Sequence, residues 1–90
     1  MYSKFIKCLR DLCFNYEEFE RVELESGVTA YNVVKVYNNF KYLYFEFAGS
    51  YSNDIFAIYV WDGTGHIFQV IKRRQEYLMI FELANIINNM

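Results

Sequence analysis

Tyr2, Phe5, Ile6, Leu9, Leu12, Cys13 and Tyr16 recur at three- and four-residue spacing, which predicts an amphipathic helix over residues 2–16. Lys4, Lys7, Arg10, Asp11 and Asn15 take the opposite side, and Ser3 is available as an N-cap. Phe14 projects from the polar side and needs cover from the following segment or a partner. From Glu20 the period falls to two. Val22 and Leu24 alternate with charge over residues 20–25, as in a half-buried edge strand, and Ser26-Gly27 is a turn. Residues 29–37 are β-branched and aromatic, and Asn38-Asn39 can adopt the positive φ angles of a tight hairpin. Residues 40–48 form a second strong strand, ended by a loop over 49–53. Residues 54–61 form a third, Asp62-Gly63-Thr64-Gly65 is the clearest hairpin turn, and residues 66–72 form a fourth.

Helical spacing returns over residues 74–88, with Tyr77, Ile80, Leu83, Ala84 and Ile87 on one side. Leu78, Met79, Phe81 and Ile86 widen the stripe until only Gln75, Glu82 and Asn85 remain polar, the mark of a helix buried on more than one side. The expected fold is one α+β domain over residues 1–90. It has an N-terminal helix, a four- to five-stranded antiparallel meander and a C-terminal helix packed on the sheet.

Side chains alternate across a strand, so the meander has two faces. One is apolar and should carry the core: Val34 and Val36, then Leu43, Phe45 and Phe47, then Phe56, Ile58 and Val60, then Phe68 and Val70. The other is rich in tyrosine, with Tyr31, Tyr37, Tyr42, Tyr44, Tyr59 and Trp61 around Lys35, Glu46 and Gln69. Tyr and Trp combine large contact area with a polar handle and are enriched at interfaces. Either the second helix covers this face, or it is a surface for a partner. The broad apolar stripe of that helix, with Leu78, Phe81 and Ile86, exceeds what so small a sheet can bury and suits an oligomer interface.

Composition narrows the chemistry. Aromatic residues make up 21% of the 90, with proline absent, which excludes linker and collagen-like readings. Nine basic against eleven acidic side chains give a net charge of −2, so nucleic acid is a poor fit as a direct ligand. Glu17, Glu18, Glu20, Glu23 and Glu25 instead form an acidic run, readable as a solvated edge strand or as a surface for a basic groove. No apolar run is long enough to span a membrane, and early charges from Lys4 onward argue against a signal peptide. Cys8 and Cys13 project about 140° apart on a helix, cannot pair, and read as buried apolar thiols in a reducing, cytoplasmic setting. His66 lies in a turn near Asp62 and Thr64. No catalytic triad, metal-ligand spacing or phosphate loop is present, and no cofactor is expected.

The expectation is therefore a small, non-enzymatic protein that binds another protein, with Tyr31, Tyr37, Tyr42, Tyr44, Tyr59, Trp61, Glu17, Glu18 and Glu20 as the contact residues. Phe, Tyr, Asn, Ile and Lys supply 39 of the 90 residues, the signature of an AT-rich genome. Small size, that bias and surplus apolar surface resemble, in type and not in sequence, phage- or mobile-element-encoded inhibitors of host systems, CRISPR nucleases among them. Antitoxin or immunity proteins facing a toxin, and structural homo-oligomers such as homodimers, share these traits. A sheet that stacks single-stranded nucleic acid on its tyrosines is the remaining reading.

Overall fold

The change of period from helix to strand falls earlier than the apolar spacing predicts. In the computed structural model, which describes residues 2–23, 29–50 and 55–90, helix α1 spans Tyr2–Asp11 and strand β1 spans Asn15–Glu23. Cys13 adopts a left-handed φ of 59°. Its N–H donates to the Arg10 carbonyl at 3.1 Å, and the Phe14 N–H donates to the Leu9 carbonyl at 3.0 Å. These two bonds close the helix as a Schellman cap. The residue in the left-handed position is usually Gly or Asn, so a cysteine there conceals the stop. Phe14 folds back against the core, which answers its need for cover. Leu12 and Cys13 remain exposed and Cys8 is half-buried, so neither thiol is the buried group the periodicity implies. Ser3 lies inside the helix instead of capping it.

Strands β1, β2 (Thr29–Asn38), β3 (Lys41–Ser50), β4 (Ile55–Trp61) and β5 (Ile67–Lys72) form one antiparallel sheet in sequence order. Helix α2 (Glu76–Asn88) follows. The α+β layout is thus as expected, with β1 longer and earlier than residues 20–25; Leu24, Glu25, Ser26 and Gly27 lie outside the described residues. The β2–β3 turn also shifts by one. Asn38 pairs with Lys41, and the left-handed pair is Asn39 (φ 52°) and Phe40 (φ 63°), the type I′ geometry that matches sheet twist. In the β4–β5 turn, Gly65 has φ 82° and its N–H donates to the Asp62 carbonyl at 3.0 Å.

Both helices pack on one face of the sheet. Phe5, Ile6 and Leu9 of α1 and Met79, Leu83 and Ile87 of α2 share a core with Val34, Val36, Phe45, Phe47, Ile58, Val60 and Ile71. The Phe5 ring lies 5.5 Å from Phe45 and 5.3 Å from Phe47. Each such side chain stabilises the fold by about 1.5–3 kcal/mol through burial. Polar contacts lash the layers together. The Tyr2 hydroxyl donates to Glu18 Oε1 at 2.9 Å, Lys4 pairs with Glu76 at 3.0 Å, and Asn38 Nδ2 donates to the Ile87 carbonyl at 2.8 Å. The Lys4 hydrogen bond holds the Glu76 carboxyl below its usual range.

Two expectations about faces are corrected. Trp61 pairs with Ile67 and Val60 with Gln69, so Phe68 is the extra residue of a β-bulge; its side chain, like that of Phe56, lies outside the described set. Beyond the bulge, Ile71 is buried, Val70 is exposed, and Gln69 turns to the helix side, where its amide donates to Glu82 Oε1 at 2.8 Å. Arg74 pairs with the same carboxylate. The second correction concerns α2, which buries only one side. Tyr77 (69% exposed), Phe81 (67%) and part of Leu78 face solvent, while Ile86 packs at the edge of the core.

Candidate functional site

With both helices on one face, no described helix or strand covers the Tyr42, Tyr44 and Trp61 end of the other, although Val33, Ala48 and Ala57 further along that face are buried. Strand alternation places its residues in rows across the sheet. In one row Asn15, Tyr37 and Tyr42 follow one another; in the next, Glu17, Lys35, Tyr44, Trp61 and Ile67; in the third, Phe19, Val33, Glu46, Tyr59 and Val70.

Tyr44 and Trp61 are paired across the strands and stack with ring centroids 4.1 Å apart and planes 8° from parallel. Tyr42 meets Tyr44 edge-on at 5.8 Å and lies 6.1 Å from Tyr37. Lys35 reaches into the centre of this group, its Nζ 4.2 Å from the Tyr42 centroid, 5.0 Å from Tyr37 and 5.5 Å from Tyr44. Ring faces are electron-rich, so the ammonium is held among them. A hydrogen bond with Tyr37, the largest influence, pushes the Lys35 pKa up, so the cation persists. The Tyr37 hydroxyl in turn donates to Glu17 Oε1 at 2.9 Å. The result is a platform of rigid rings around one positive charge.

Tyr37, Tyr44, Tyr59 and Trp61 are half-buried by their neighbours, and Tyr42 is 40% exposed. Phe19, Val70 and Ile67 extend the platform as exposed apolar residues. Sequence reading missed Phe19, because β1 was placed too late, and Val70, because of the bulge, whereas alternation sets Ile67 opposite Phe68 and Val70 and it does lie on this face. The acidic run does not form one patch. Glu17 belongs to the tyrosine face, whereas Glu18 accepts from Tyr2 on the helix side. Glu20 pairs in register with Asn32, and Tyr31 with Arg21 and Ala48; the side chains of Glu20 and Tyr31 lie outside the described residues.

Asp62 and His66 are turn residues. Asp62 Oδ1 accepts from the Thr64 hydroxyl at 2.6 Å, the Thr64 N–H at 2.9 Å and the His66 N–H at 3.3 Å. These bonds, the Thr64 hydroxyl foremost, hold its carboxyl below the usual range. Among the described residues no three His, Cys, Asp or Glu side chains are grouped to hold a metal ion. No helix among the described residues is long and apolar enough to cross a membrane. On the helix side, Lys41, Leu43, Gln69, Glu82, Ile86 and Met90 border an open groove of about 590 Å³ between β3 and α2. In comparisons with protein-family models, curated proteins and solved structures, nothing matches this chain.

Proposed function

We propose that the chain is a non-enzymatic protein-binding module that covers a partner's surface with the aromatic face of its sheet. The observation that carries this reading is that, among the described residues, no helix or strand lies over the rings of Tyr37, Tyr42, Tyr44 and Trp61, while both helices crowd the opposite face. Rigid aromatic rings gain contact area with little loss of conformational freedom. The chemistry of the platform favours a partner with a flat apolar surface and a carboxylate placed to meet Lys35. Small size and the AT-rich composition support an inhibitor of a host protein, encoded by a phage or mobile element and acting by occlusion.

A second reading rests on the same lysine, because bases stacked on the rings would bring phosphates to a cation. Glu17 on the Lys35 row and Glu46 on the next weigh against it, as does the mutual stacking of Tyr44 and Trp61, which already occupies one face of each ring.

The test is capture of the partner from the native host, followed by titration of that purified partner with the wild type and with Tyr44→Ala/Trp61→Ala. The double variant is expected to keep its circular dichroism spectrum and weaken binding about 100-fold or more. Equal affinity of the two proteins defeats the reading. Binding instead to single-stranded oligonucleotides, lost steeply as salt rises, favours the second reading.

A further inference from the structure

Phe40 is the second residue of the β2–β3 turn, held at φ 63° and fully exposed. Asn-Gly is the pair such a turn favours, and the chain supplies the Asn at position 39 but a phenylalanine in place of the glycine. A bulky side chain raises the energy of the left-handed conformation. Since Phe40 buries nothing within the monomer, no contact inside the fold offsets that strain.

The same end of the molecule carries the Schellman cap of α1, whose left-handed Cys13 and half-exposed Leu12 also face solvent. Hairpin tip and helix cap together border a cleft of about 710 Å³, with Leu12, Phe14, Tyr37 and Phe40 as apolar walls and Asn15 and Asn38 among its polar residues. None of the residues lining it is charged, although the chain holds nine basic and eleven acidic side chains.

We propose that this end is a self-association surface, in which Phe40 of one copy seats in the cleft of a second copy and receives that copy's Phe40 in return. A two-fold contact needs a projection and a hollow side by side on one surface, which is the arrangement of Phe40 and the cleft. It also brings each group near the axis against its own copy, so a charge there would repel itself. An uncharged lining therefore suits a second copy, and the exposed Lys41 that follows Phe40 is not part of it. The cleft shares Asn15 and Tyr37 with the edge of the aromatic sheet face, whose remaining residues, with Glu17, Lys35 and Glu46, suit a partner of complementary charge instead. Contact confined to one end of so small a chain falls at the low end of interface sizes, so the association is weak and concentration-dependent.

Sedimentation of the full chain from micromolar to millimolar concentration is the test. The wild type is expected to pass from monomer to dimer, and Phe40→Gly to raise the dissociation constant about 100-fold or more. The melting temperature of Phe40→Gly, measured where both proteins are monomeric, is expected to rise by a few degrees, because glycine accepts the left-handed turn. Leu12→Asn provides a second variant, expected to weaken the dimer about tenfold, and Tyr44→Ala/Trp61→Ala is expected to leave it unchanged. A wild type that stays monomeric throughout overturns the proposal. So does a dimer that survives Phe40→Gly, or one that Phe81→Glu dissociates while Phe40→Gly does not.

Discussion

Tyr42 lies across Gly63, and the pair shows how one residue without a side chain shapes the aromatic face. A Cβ added at Gly63 would stand 2.7 Å from Cε2 of the Tyr42 ring and closer still to its hydroxyl. The ring is at the surface and can swing away, so Gly63→Ala is expected to cost about 1 kcal/mol, the lower range for overpacking. In a Tyr42→Ala background the cost should vanish, and urea denaturation of all four proteins in a double-mutant cycle measures the difference. Undiminished cost in the Tyr42→Ala background would place the strain in the turn itself. Sequence reading identified Gly63 as a turn residue and Tyr42 as a face residue, but nothing in the pattern brings the two together. At this scale legibility followed burial. Val34, Val36, Phe45, Phe47, Ile58 and Val60 are buried on the face their alternation assigns. Cys13, Phe40 and Gln69 escaped because each sits where a backbone turn or a bulge overrides the periodicity.

Strands β2, β3 and β4 were legible because long alternation on both sides leaves only one register that buries the aliphatic rows. The ends of elements were not. The apolar spacing of α1 runs on through Leu12 and Cys13, so only the capping hydrogen bonds to Arg10 and Leu9 reveal that the helix stops at Asp11. What holds α1 to β1 is in part a polar link, and that link titrates. Burial, followed by the hydrogen bond to Glu18, raises the Tyr2 pKa well above its ordinary value of 10.0. Below pH 10 the phenol is neutral in both the folded and the unfolded chain, and its contribution to stability is complete. As pH rises past 10 the unfolded chain releases the proton while the folded one retains it, so stability falls until the folded pKa is passed. Tyr2→Phe keeps the ring, which meets Phe47 edge-on at 5.2 Å, and removes the proton. Its alkaline loss of stability, followed by urea midpoints from pH 8 upward, is expected to be smaller than that of the wild type. Identical slopes would mean that the hydroxyl makes no net contribution.

At the scale of the whole molecule the distribution of layers is the central fact: two helices on one side of the sheet, rings on the other, and a cleft with an uncharged lining at one end. Composition revealed the surplus of apolar surface without saying where it would lie. That depended on α2 docking beside α1 over Phe45 and Ile58 and not on the tyrosine side, a choice that two apolar-looking faces leave open. The placement gives the molecule a built-in reporter, because its one tryptophan, Trp61, sits stacked and half-buried in the aromatic face, in the row next to Tyr42 and on the side of β4 opposite the core residues Ile58 and Val60. A partner that covers the sheet face removes water from the indole, so binding is expected to shift Trp61 emission to the blue. Unfolding by urea exposes the ring and shifts it to the red. Self-association through Phe40 leaves the stacked pair untouched and should dimerise the chain with no change in emission. A fluorescence titration of the chain against itself and against its captured partner therefore separates the two surfaces in one observable. A blue shift on simple concentration would mean that the chain's second copy covers the rings, merging the two surfaces into one. Unchanged emission on partner binding would move the docking surface away from the sheet, leaving the stacked Tyr44 and Trp61 as a scaffold for their own face.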